Sequence, residues 1–172
     1  MSVLPQNMLT GLSIARERSL VRDHNCPPGM LSRLARDENV YVRQDVAKNP
    51  GCPSKSLARL ARDISPDVRS GVASNSKCPP ELLAKLARDI NWGVRQEVAE
   101  QLHCPPELLV ELAQDEDEGV RYAVAEHPKC LTETLIQLAQ DNDVDVRRKA
   151  IEAIMQRPDI PDHIKAMVAL TQ

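Results

Sequence analysis

The chain has 172 residues, 42% of them hydrophobic, so it can bury a core, yet it holds no Phe, one Trp and two Tyr. So few rings argue against aromatic cages and base-stacking platforms. The formal net charge of -3 gives no global pull toward nucleic acid, and no run of about 20 apolar residues is present to span a membrane.

The charge is unevenly spread. Residues 1–86 carry 13 Lys/Arg against 8 Asp/Glu, and residues 87–172 carry 9 against 17. Such a gradient reads first as repeat drift on a solvated surface, and second as suited to docking onto a partner or to head-to-tail association. The opening MSVLPQNMLTGLS has no basic region and no long apolar core, which makes it a poor secretion signal. The five cysteines are an odd number, and nothing points to an oxidising compartment. The expected location is the cytoplasm.

Residues 1–25 read as a degenerate N-terminal cap with a short helix around 12–22. Met8 falls one period before Leu34, but Gly11 and Glu17 stand where later units place Asp and Arg. Five units follow, at 26–51, 52–77, 78–103, 104–129 and 130–155. Cys26, Cys52, Cys78, Cys104 and Cys130 are 26 residues apart, and the series from Leu34, Asp37 and Arg43 keep the same step. A fixed period of this length signals a solenoid, in which each unit buries its apolar face against its neighbours.

Within a unit, a first helix such as Pro80 to Arg88 carries Leu82, Leu83, Leu86 and Ala87 on one face, with Lys85 and Arg88 facing away. Ser54, Thr132 or Pro at its start suits a helix N-terminus. A polar loop leads to a second, shorter helix, about Trp92 to Gln101, with Val94, Val98 and Ala99 inward. Proline or a polar turn stops it near Asn49-Pro50, Asn75-Ser76 and His127-Pro128. The last second helix, 146–156, runs one turn longer. The pattern then restarts four residues late, with Ile160 in the cysteine column, Asp162 as a cap, and a closing helix over 162–171. Residues 156–172 form a C-terminal cap in which Met167 and Leu170 read as core or capping residues.

The segments VRQDVAKNPGCPSKSLARLARD (42–63), VRSGVASNSKCPPELLAKLARD (68–89) and VRYAVAEHPKCLTETLIQLAQD (120–141) show the unit most clearly. It resembles the leucine-rich repeat variant family, over about residues 26–155, and is similar to HEAT repeats, which share an Asp followed by Val-Arg. The resemblance implies an all-α, right-handed helical-repeat solenoid of HEAT/armadillo-like type, built from 26-residue two-helix units. One member of that family carries a separate cysteine-rich segment with an iron–sulfur cluster. Here only the cap precedes Cys26 and no C-x-x-C occurs, so no cofactor and no metal are expected.

A cysteine column argues the same way. It places one thiol per repeat, with layers about 8–10 Å apart, whereas metal sites need thiolates converging at about 2.3 Å. The cysteines therefore read as small buried hydrophobes. The Asp and Arg columns read as a structural ladder, in which Asp63 accepts amides at the start of the second helix and Arg69 or Arg95 reaches it bidentately. His24, His103, His127 and His163 read as surface or helix-end residues, and no catalytic residue is expected. Trp92 reads as a packing lid before an interface anchor. The loop Asp115, Glu116, Asp117, Glu118 reads as a solvated acidic edge open to a basic partner.

These readings favour a non-enzymatic scaffold that binds a protein partner on a concave face lined by the second helices. Its candidate contacts are the non-recurring outward positions Gln44, Lys48, Ser70, Ser74, Gln96, Glu100, Tyr122, Glu126, Arg148 and Glu152. Tyr122 stands out because a phenol offers contact area and a polar handle. Two other classes compete. Nucleic-acid binding would need Arg43, Lys48, Arg69, Arg147, Arg148 and Lys149 to share a groove. A cofactor or tetrapyrrole auxiliary enzyme on such a scaffold would show colour or bound iron.

Overall fold

The computed structural model describes residues 6–169, with side chains from residue 14 onward. Among these the chain forms twelve α-helices and no strand, a helical-repeat solenoid. The first helices are α2 (Pro28–Leu34), α4 (Ser54–Leu60), α6 (Pro80–Leu86), α8 (Pro106–Leu112) and α10 (Thr132–Leu138). The second helices are α3 (Val40–Lys48), α5 (Pro66–Ala73), α7 (Trp92–Glu100), α9 (Glu118–Glu126) and α11 (Val144–Gln156). They are preceded by α1 (Gln6–Arg22) and followed by α12 (Asp162–Ala169).

Three expectations change. The cap helix α1 starts at Gln6, well before residue 12. Gly11 disfavours a helix interior by only about 1 kcal/mol, and no proline interrupts residues 6–22. The first helices, not the second, are the shorter ones. Each has seven residues and ends in a tight turn whose amides reach back three residues, as Arg36 N–H to Arg33 O and Asp37 N–H to Leu34 O. Met167 is 46% exposed, and Val168 takes the buried place instead. Met8, Leu170 and the end of the 162–171 helix lie outside the residues whose side chains or backbone are described.

Helix starts follow two different rules. Pro53 and Leu131 precede α4 and α10, and neither end has a side-chain cap, so Ser54 and Thr132 are first helical residues rather than caps. Four of the five second helices are capped by the side chain of the residue two after the recurring aspartate, and Ser65, at the start of α5, makes no such bond. Asn39, Asn91, Asp117 and Asp143 accept amides of the first turn.

The chain divides into two compact units, residues 1–82 and 83–172. In the first, α1 packs on α3 and α3 on α5, with α2 and α4 alongside. Gly71 allows the α3–α5 approach, since a Cβ there would lie 3.0 Å from Ala47 Cβ and 3.2 Å from Gln44 O. In the second, α7 packs on α9 and α9 on α11, α8 and α10 flank them, and α12 contacts α11. Leu83, Leu86, Leu109, Leu112, Leu135 and the valines Val94, Val98, Val120, Val124 and Val146 fill its core. Each such Leu or Val contributes about 1.5–3 kcal/mol of burial.

Candidate functional site

The recurring residues are fully occupied by the fold. Arg43 sends Nε and Nη2 to the two oxygens of Asp63 at 2.7 and 3.0 Å, while its Nη1 donates to the carbonyls of Asp37 and Glu38. Arg95 does the same with Asp115, at 2.6 and 2.8 Å, and Arg121 with Asp141, at 2.7 and 2.9 Å. The expected ladder is present, but its direction is corrected. Asp63 is chelated by Arg43 of the preceding unit, and Arg69 donates to the carbonyls of Asp63 and Ile64. Asp63 accepts the Ser65 amide, not a helix amide. Burial pushes the carboxyls of Asp63, Asp115 and Asp141 up. The arginine bonds, the turn amide and the arginine charges outweigh it and hold them below the usual range.

A second ladder escaped the sequence reading. Asn75 donates Nδ2–H to the carbonyls of Ala47 and Asn49, at 2.6 and 2.8 Å, and accepts the Lys77 amide on Oδ1. Asn49 does the same one unit earlier, with Val21 O, Asp23 O and the Gly51 amide. In the second unit His127 holds this column. Its Nδ1 accepts the Lys129 amide, so Nε2 carries the proton and donates to Gln101 O at 3.0 Å. Arg157 follows, donating to the carbonyls of His127 and Cys130. His127 is therefore a helix-end residue, as expected, closing α9, but it is buried, at 3% exposed, rather than on the surface. The signal was available as a polar residue at 49, 75, 101 and 127, where each second helix stops.

All five cysteines are free and buried. Burial drives the thiols of Cys52 and Cys78 up to about 12, and those of Cys104 and Cys130 up to about 11. Such thiols are poor nucleophiles and poor ligands. Among the described residues no three His, Cys, Asp or Glu side chains gather as a metal site would require.

The non-recurring positions lie outside. Lys48, Ser74, Glu100, Glu126, Arg148 and Glu152 are exposed, and Gln44, Ser70, Gln96 and Tyr122 half-buried. In the first unit Gln44 and Lys48 lie on α3, Ser70 lies on α5, and Ser74 is the residue that ends α5. In the second unit several of them meet. Gln96 donates to Glu100 at 2.7 Å. Lys149 sits 5.2 Å over the Tyr122 ring, 3.2 Å from Glu126 and 3.7 Å from Glu152. Arg148 pairs with Asp145. Tyr122 is thus held on one side by Lys149, a residue the partner-face reading had left out. Trp92 is 53% exposed and is no lid.

The family model described as leucine rich repeat variant matches residues 92–117, a span of one period. A solved structure described as a leucine-rich repeat variant with a novel repetitive protein structural motif matches with a TM-score of 0.50 and 27% identity, covering 83% of this chain and 70% of that one. The units here are leucine-rich repeat variant units. A structure of an engineered protein also matches, with 18% identity and a TM-score of 0.41, over 81% of this chain and 78% of that one. No curated protein matches the chain. In this leucine-rich repeat variant array no described helix is long and apolar enough to cross a membrane.

Proposed function

We propose that the chain is a non-enzymatic helical-repeat scaffold that binds a protein partner through the outer surface of its second helices. The observation that carries this reading is a division of labour among positions. Residues that recur (Leu, Val, Cys, Asp, Arg and the amide column) are buried or bonded within the repeats. Residues that change from unit to unit, Gln96, Glu100, Tyr122, Glu126, Arg148 and Glu152 among them, face outward on α7, α9 and α11. A surface that varies on a scaffold that does not is how repeat proteins acquire partners. Nucleic-acid binding is less favoured, because Arg43, Arg148 and Lys149 are each already paired with a carboxylate.

The test is an affinity pull-down from host extract, eluted with salt and identified by mass spectrometry, run with the native chain and with Tyr122→Ala and Gln96→Ala. A stoichiometric protein lost from both variants supports the reading. Co-eluting nucleic acid, or a partner indifferent to both substitutions, contradicts it.

A further inference from the structure

The loops that lead into α7, α9 and α11 form an edge of the second unit that the fold does not use. In each loop the ladder aspartate (Asp89, Asp115, Asp141) and the capping residue two positions on (Asn91, Asp117, Asp143) are occupied by backbone amides. The residues one and three after the aspartate are left pointing out. They are Ile90 and Trp92, then Glu116 and Glu118, then Asn142 and Val144.

Their chemistry is uneven in an informative way. Ile90 is 93% exposed, Trp92 53% and Val144 61%. At that exposure they add nothing to the core, and a polar residue would serve the fold equally well. Between them sits negative charge that the fold offsets only in part. Asp115 and Asp141 are chelated by Arg95 and Arg121, but the Glu116 side chain is 90% exposed, with only a 3.5 Å contact to Arg95 Nη2, and Glu118 is exposed. Arg95 also holds the Ile90 carbonyl at 3.3 Å, so the apolar pair and Glu116 are neighbours. Beside Glu116 a groove of about 560 Å³ runs between the loops, lined among others by Gln114, Gln137 and Asn142, whose amides can accept from a cationic side chain.

We infer that this edge is a docking site for an extended protein segment that carries a Lys or Arg between apolar side chains. The apolar residues would cover Ile90, Trp92 and Val144, and the cation would meet Glu116 and Glu118. The charge selects the partner. Residues 87–172 carry 17 Asp/Glu against 9 Lys/Arg, which repels nucleic acid and anionic lipid and attracts a basic segment. Three loops at about 8–10 Å per repeat match roughly six extended residues at about 3.3 Å each. This inference stands apart from the second-helix surface.

Trp92 is the only tryptophan, so its emission reports the site directly. The probe is an octapeptide of alternating Leu and Lys, compared with alternating Leu and Glu and with octalysine. We expect the Leu–Lys peptide alone to saturate with a blue shift of Trp92, binding that weakens with salt, and about fivefold or greater loss in Glu116→Gln/Glu118→Gln and in Ile90→Ser. All three residues are exposed, so these variants keep the fold. Tyr122→Ala should leave this titration unchanged, which separates it from the second-helix surface. Equal binding of octalysine, indifference to Ile90→Ser, loss in Tyr122→Ala instead, or no binding of any peptide overturns the inference.

Discussion

At the scale of single residues, burial makes ordinary side chains behave unusually. The thiols of Cys52 and Cys78, pushed up to about 12, should be inert. Titration with a thiol reagent at pH 8 should modify none of them in the folded chain and all five after denaturation. One rapidly modified cysteine without denaturant would break the column assignment. His127 stands where Asn49 and Asn75 stand earlier, and it alone of the three can titrate. Burial lowers its pKa, the Gln101 carbonyl pulls it up, and Lys129 and Arg157 lower it again, leaving it below the ordinary 6.5. Protonation would also cost Nδ1 its role as acceptor for the Lys129 amide. The unfolded chain therefore binds this proton more readily. Stability from His127 is complete above about pH 6.5 and falls as pH drops toward the lowered folded value. The carboxylates Asp63, Asp115 and Asp141, also depressed, add their loss only at more acid pH, below the ordinary 3.8. Denaturation midpoints should decline in two steps, and His127→Asn should remove the first while matching the native chain at pH 8. A native-like first step in that variant would sink the assignment.

At the scale of the element, periodicity made the helices legible, because Leu82, Leu83 and Leu86 or Val94 and Val98 recur at helical spacing and prove buried. Three details were not legible. The turn that shortens each first helix is a backbone arrangement, with no side chain to announce it. The cap of the second helix is the residue two after the aspartate, Asn in two units and Asp in two, while Ser65 in the same place makes no capping bond, so no single residue type marks it. The arginine that reaches each aspartate lies 20 residues before it, and sequence spacing cannot choose between that one and the one six residues after. The capping distinction is testable. Asp117→Ala, which removes acceptors for the Gly119 and Val120 amides, should cost about 1 kcal/mol, within a range of roughly 0.5–2. Ser54→Ala, at a position without a capping bond, should change stability by only a few tenths of that. Equal losses in denaturant midpoint would remove the distinction.

At the scale of the molecule, the Arg–Asp ladder ties consecutive repeats within each compact unit, Arg43 to Asp63 in the first and Arg95 to Asp115 and Arg121 to Asp141 in the second. Arg95 and Asp115 are both nearly buried, so Arg95→Ala strands a carboxylate and should cost about 3–5 kcal/mol. The exposed Arg88–Glu111 pair has comparable bond lengths, yet Arg88→Ala should leave stability nearly unchanged. The fold was readable because what recurs is what folds. The candidate surface was readable only as the remainder, and neither the exposed edge at Ile90 and Trp92 nor the histidine in the amide column follows from recurrence. The most direct measurement is an alanine scan of one whole repeat, residues 104–129, followed by thermal unfolding. The account predicts clear losses at Leu109, Leu112, Asp115, Val120, Arg121, Val124 and His127, at about 2–4 °C per kcal/mol for a chain of this size. Glu107, Glu118, Tyr122 and Glu126 should be silent. Losses at the outward positions, with silence at Leu112 and Arg121, would contradict it.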